Sequence, residues 1–351
     1  MPQWILENYT LIIIMIGTLL LGSVAGLLGV FSILRNEALA GDALSHAALP
    51  GVVLAYIITN QRSIPILLIG AALSALVSML LIHIIKKYSK TKSDASLALI
   101  LSSFFGLGQV LLQVVQNKGA SSAAGLNKFI FGQAATMLKT DVYFIAGVSL
   151  FVLLIIILLW KEIKLHTFNE EFFASLGFSK RIMNVLMTII TVIVVVIGIR
   201  TVGVILMSAL IIAPGVAARQ WSHKLHINAL IATLIGLFSG IIGTYISYLK
   251  SNLPTGPVIV IVLSIFVIIS LLFAPKSGLI RKTIDLKKHQ KNIEKYRYLI
   301  HLYSNEKTTI TNETQTWIET EHVYLNQNQE PKLTEKGVFK VESILKGGSH
   351  V

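Results

Sequence analysis

The sequence predicts an all-α polytopic membrane protein with a small C-terminal extension, and three observations carry that reading. Of its 351 residues 54% are hydrophobic and 13% charged, about half the charge of a soluble domain. The apolar residues gather into runs near the ~20 residues that a helix needs to cross a bilayer core. The charges fall between those runs: residues 1–275 hold 17 basic and 8 acidic groups, against 13 and 9 in residues 276–351. An ordinary soluble enzyme is excluded. The formal net charge of +13 is what a nucleic-acid binder shows. In the body, however, Lys and Arg stand at the ends of apolar runs, as membrane topology requires, so the expected partner is the lipid bilayer and not nucleic acid. With no cysteine, disulfides and thiolate metal ligands are excluded as well.

Nine segments are expected to span: roughly 10–34, 38–60, 64–85, 95–116, 138–160, 181–198, 201–219, 225–249 and 256–274. Arg35-Asn36-Glu37 ends the first, Asn60–Ser63 the second and the basic Lys86–Lys92 the third. A Gly/Ala/Ser-rich stretch, 117–137, follows the fourth, and Pro254-Thr255-Gly256-Pro257 turns into the ninth. Gly198, Arg200 and Gly203 alone part the sixth from the seventh, so the count is eight if those two form one interrupted span. With the N-terminus outside, the inner loops collect eleven Lys/Arg and the outer loops six. Positive charge favours the inner side, so the expected orientation is N-out and C-in. Small residues recur at Gly22–Gly26 and at Gly236, Gly240 and Gly243. Such residues let helices approach closely, within one subunit or across a dimer.

Gly41–Gly51 (GDALSHAALPG) breaks the apolar rule. Asp42 is a carboxylate inside a predicted span, where a charge costs at least ~2.5–3.5 kcal/mol at the centre of a helix. His46 lies four residues on, which puts both side chains on one helical face. At 1.5 Å per residue His46 is expected roughly 16 Å beyond Arg35, near mid-membrane. A carboxylate and an imidazole one turn apart suit Mn²⁺, Fe²⁺ or Zn²⁺. They equally suit a hydrogen-bonded structural pair or a proton relay. Two ligands leave a metal shell incomplete, and a second subunit offering the same pair makes four. Pro50 and Gly51 follow at once, and Pro214 with Gly215 repeats the device in the seventh span. Proline withdraws a backbone donor and kinks a helix, and irregular backbone at depth survives beside a cavity or inside protein. Ser45, Pro50, Gly51 and Pro214 are therefore pathway or kink candidates. Between spans five and six, Phe168–Gly177 suits a short amphipathic helix. Asn169 caps it, Glu170 and Glu171 fill its first turn, and Gly177 ends it.

At these residues the sequence resembles the permease subunits of bacterial ATP-binding-cassette importers for manganese, zinc and iron, which are related to the cobalamin and siderophore permeases. Gly41–Gly51 matches the signature of that family. Val202–Ala218 resembles its second characteristic segment, and Phe168–Gly177 its coupling helix. The resemblance implies an all-helical permease working as a homodimer or heterodimer. It also implies separate ATPase subunits at the cytoplasmic face and an extracellular metal-binding protein that delivers the ion. Asp42 and His46 become transient ligands for the transported metal, with no permanently bound cofactor. Phe168, Glu170, Glu171, Phe172, Ala174 and Gly177 become the surface that meets the ATPase. The chain holds no GxxxxGK[ST] phosphate loop, so it is not expected to be an enzyme and any ATP hydrolysis belongs to a partner.

Residues 276–351 exceed the short C-terminus typical of that family. Lys287–Tyr303 reads as a basic helix, and Leu333–Val341 resembles the end of a winged-helix domain. The expected domains are thus a permease domain, 1–275, and a cytoplasmic extension, 276–351. The function expected is ATP-driven import of a divalent transition metal, manganese ahead of zinc or iron. The alternatives are a same-fold permease for an organic metal chelate and a proton-coupled transporter that works alone.

Overall fold

The structure, a computed structural model, describes residues 9–61, 63–117, 137–249, 253–275, 278–304, 312–326 and 330–347. Most of the Gly/Ala/Ser-rich stretch lies outside the described residues. The chain divides into two compact units, Met1–Ser270 and Leu271–Val351.

In the first unit the helices follow the predicted runs. They are α1 Tyr9–Leu34, α2 Ala40–Thr59, α3 Ile64–Tyr88, α4 Ser93–Asn117 and α5 Lys139–Leu158, then two short helices, α6 Trp160–Phe168 and α7 Glu170–Ser175. After them come α8 Lys180–Val202, α9 Val204–Trp221, α10 Leu225–Leu249 and α11 Thr255–Phe273. Among the described residues, eight are long and apolar enough to cross a membrane: α1 to α5, α8, α10 and α11. The predicted sixth and seventh spans are two helices, α8 and α9. Gly203 ends one and starts the next at φ 87°, a left-handed conformation that a Cβ disfavours. The 18-residue α9 packs on α1, α2, α8 and α10.

The core is built on close crossings. Along α1 and α10, which run antiparallel, Gly22 meets Gly236, Gly26 meets the carbonyl of Ala232, and Gly240 meets the backbone of Thr18. Thr18 Oγ1 adds hydrogen-bond contacts to the Gly240 carbonyl (3.2 Å) and Thr244 Oγ1 (3.1 Å). The two small-residue runs thus face each other inside one chain. Gly29 sits against the Ile211 carbonyl of α9, and Gly51 of α2 against Gly70 of α3. In these crossings the backbones approach closely, as small residues permit in membranes. Large apolar side chains on α3, α4, α5 and α11, such as Ile69, Leu73, Val110, Leu150 and Ile261, are exposed. That is the surface of a protein whose solvent is lipid.

The second unit holds α12 Leu279–Lys295, α13 Arg297–Tyr303, α14 Asn312–Glu319, the strands β1 Val323–Leu325 and β2 Pro331–Leu333, and α15 Glu335–Gly347. The basic helix begins eight residues earlier than its charge pattern indicated and breaks at Tyr296. β1 and β2 pair antiparallel, Val323 opposite Leu333. Tyr298, Leu299, Val323 and Val341 form the core. Thr334 Oγ1 accepts the Gly337 N–H at 3.1 Å and caps α15.

Candidate metal pathway and coupling segment

A tight turn delivers α2. Asn36 takes φ 56°, the Glu37 N–H donates to the Ser32 carbonyl (2.8 Å), and the Ala40 N–H donates to the Glu37 carbonyl (2.9 Å). Because these residues turn instead of extending the helix, α2 starts only at Ala40. His46 therefore lies six residues, about 9 Å, into α2. Asp42 occupies the first turn of α2, where the helix dipole favours a carboxylate. Asp94 and Asp141 occupy the same position in α4 and α5. Position in the helix does not set Asp42 apart, but its neighbour does.

His46 Nε2 stands 3.3 Å from Asp42 Oδ1. The ring lies edge-on to Phe105 of α4 at a centroid distance of 4.7 Å, a contact that sequence spacing did not reveal. His46 Nδ1 is buried and has no hydrogen-bond partner among the described residues. His46 and Asp42 remain 19% and 25% exposed, so one side of the pair is open. No group of three or more His, Cys, Asp or Glu able to hold a metal occurs among the described residues. The pair by itself offers two ligand atoms.

The neighbouring candidates divide by role. Ser45 is fully buried, and its hydroxyl donates to the Gly41 carbonyl at 2.7 Å. α2 runs through Pro50 to Thr59, and the missing Pro50 N–H leaves the His46 carbonyl without its helical donor. Gly51 is the contact with α3 described above. Pro214 lies inside α9, where its Cβ closes on Gly26 of α1.

In the coupling segment, Asn169 caps α7 as expected, its Oδ1 accepting the Phe172 N–H at 2.9 Å. Glu170 and Glu171 fill the first turn, and Gly177 takes φ 88°. One boundary differs: Phe168 ends α6 and lies outside α7, because the loop before it is itself helical from Trp160. Phe168, Phe172, Leu176 and Phe178 are exposed, while Phe173 is buried against the His166 ring at 5.2 Å. Ala174 lies between them on α7.

Sequence reasoning also read Arg35-Asn36-Glu37 as a mere boundary. Arg35 lies 3.6 Å and Lys86 2.8 Å from the Glu37 carboxylate. Burial raises the pKa of Glu37, but Arg35, the Lys86 hydrogen bond and charge, and His83 together outweigh it and hold the carboxyl below the usual 4.5.

Such a bundle, apolar outside and carrying a carboxylate–imidazole pair within, defines a polytopic membrane transport protein. The chain belongs to the ABC 3 transport family, whose family model matches residues 7–274. It is a multi-pass protein of the bacterial cytoplasmic membrane. It is 41% identical over 301 residues to the manganese transport system membrane protein MntC of Bacillus subtilis strain 168, covering 86% of this chain and 67% of that one. That match is longer than the 274 residues at which the family match ends, so it extends into the C-terminal unit. It is 44% identical over 274 residues to the zinc transport system membrane protein TroC of Treponema pallidum strain Nichols, covering 78% of this chain and 92% of that one. Among solved structures it is similar to PsaBC from Streptococcus pneumoniae in complex with Fab, with a TM-score of 0.68 and 30% identity, over 82% of this chain and all of that one.

Proposed function

We propose that the chain is the membrane permease of an ATP-driven importer, that its cargo is Mn²⁺ or Zn²⁺, and that Asp42 and His46 grip the ion in transit. The observation that carries the site is the 3.3 Å between His46 Nε2 and Asp42 Oδ1. With metal–ligand distances of about 2.1 Å, that separation subtends roughly 100° at a shared ion, between the octahedral and tetrahedral angles. The open side of the half-site gives room for water or for the same pair from a second permease. A site of few protein ligands binds and releases, as a conducting path requires.

In this reading the N-terminus is outside. α6 and α7 then face the cytoplasm, and the exposed Phe168, Phe172 and Leu176 dock into a groove on a separate ATPase. An extracellular metal-binding protein delivers the ion at the opposite face. Residues 1–275 form the permease domain, and with the 18-residue α9 as a ninth crossing the tail is a cytoplasmic winged-helix remnant: the order of α14, hairpin and α15 supports it.

The test is uptake of Mn²⁺ and Zn²⁺ into proteoliposomes holding the permease and its ATPase. Asp42→Asn and His46→Ala are expected to lose uptake of both ions while the complex still assembles. Uptake unchanged in either variant overturns the site, and uptake by the permease without ATPase or ATP overturns the ATP-driven reading.

A further inference from the structure

A partly buried polar junction ties the coupling segment to the turn that starts α2. Arg35 Nη2 donates to Asn184 Oδ1 at 2.7 Å, and His166 Nε2 lies 2.8 Å from the same oxygen. Arginine has donors only, so the Asn184 atom facing it is the oxygen. His166 must then carry its proton on Nε2 and donate as well. Asn184, in α8, thus joins α6 to the end of α1 through one atom.

Each side of the junction leads to a functional element. On one side His166 is 1% exposed and packs on Phe173 of α7, which stacks on Phe178 at 5.0 Å. Moving the aromatic surface of α7 therefore moves the His166 ring. On the other side Arg35 faces Glu37, which is anchored to α3 by Lys86. The Glu37 carbonyl accepts the first N–H of α2, two residues before Asp42. Arg35, Glu37, His83, Lys86, Glu170 and Asn184 line a cavity of about 280 Å³, which leaves these side chains room to rearrange. Contiguous hydrogen bonds with space for a second arrangement are the physical means by which coupling travels between sites.

We infer that Asn184 is a positioning residue that conveys displacement of α6 and α7 to the helix carrying Asp42 and His46. This rests on the proposed function, because it takes α6 and α7 as the ATPase contact. Breaking the junction separates ATP hydrolysis from ion movement without touching either the ion's ligands or the docking surface.

The experiment measures ATP hydrolysis and Mn²⁺ uptake together in proteoliposomes holding the full chain and its ATPase. Asn184→Leu is expected to keep hydrolysis within about twofold while Mn²⁺ moved per ATP falls at least about fivefold, the lower end of allosteric coupling. Asn184→Asp, which still accepts from both donors, is expected to retain the wild-type ratio. His166→Phe removes the donor from the other side while keeping the ring packed on Phe173, and is expected to repeat the loss if Asn184→Leu does not assemble. An unchanged ratio in Asn184→Leu or His166→Phe overturns the inference, as does a proportional fall in hydrolysis and uptake. Absence of ATP-dependent uptake by the wild type instead overturns the proposed function, so the two failures are distinguishable.

Discussion

Replacing Gly22 by alanine strikes the crossing of α1 and α10 on which the bundle is built. A Cβ at Gly22 meets the Gly236 carbonyl, and one at Gly236 meets the Gly22 carbonyl, both well under the 3.0 Å that real Cβ contacts observe. Both obstacles are backbone, which has no rotamer to change, so the helices must part by roughly 1 Å. A gap of about 0.5–1 Å forfeits a quarter to a half of each atom pair's attraction, and overpacking of this kind costs about 1–3 kcal/mol. Gly22→Ala and Gly236→Ala are each expected to lose that much stability, read from tryptophan fluorescence during denaturant titration in detergent. One separation relieves both clashes, so the double variant is expected to lose clearly less than the sum of the singles. Gly147→Ala is the control. Its Cβ meets nothing within 4 Å, and alanine is favoured over glycine in a helix by up to ~1 kcal/mol. If Gly22→Ala is as stable as Gly147→Ala, or the double loss is additive, the close-crossing argument is refuted.

Two further outcomes are expected. Glu37→Gln removes a carboxylate held below 4.5 by Arg35 and Lys86. The wild type's advantage is then present above pH 4.5 and lost as pH falls through the lower folded value. A melting-temperature difference that stays constant down to pH 3 contradicts this. In the coupling segment, Phe173→Ala is expected to cost about 3–5 kcal/mol as a buried aromatic. Phe172→Ala, half exposed, leaves stability unchanged and weakens ATPase binding in a pull-down. The reverse ordering removes the assignment of which face is anchored and which is offered.

Legibility followed the range of the forces involved. The spans were readable because twenty consecutive apolar residues suffice to cross a bilayer, a property each segment holds by itself. The Asn169 cap and the turn at Gly177 were readable for the same reason, since their hydrogen bonds close within a few residues. Asp42 and His46 were paired by helical spacing, and their separation agrees. The turn at Arg35–Leu39 rests on contacts to Ser32 and Ile33 that composition does not announce. Arg35 looked like a topology marker, although its partner, Asn184, is 149 residues away.

The sequence by itself determined the class of protein, the run of helices and the Asp42–His46 pair. The scarcity and placement of its charges admit no soluble alternative. Tertiary structure alone decided which glycines face which, that Phe105 closes one side of His46, and that one amide oxygen joins α6 to the end of α1. Those facts depend on distances between residues far apart in the chain, which packing creates and no local pattern encodes. The scarce charges that placed the chain in a membrane are, at Arg35, Glu37 and Lys86, also the bonds that hold the start of α2.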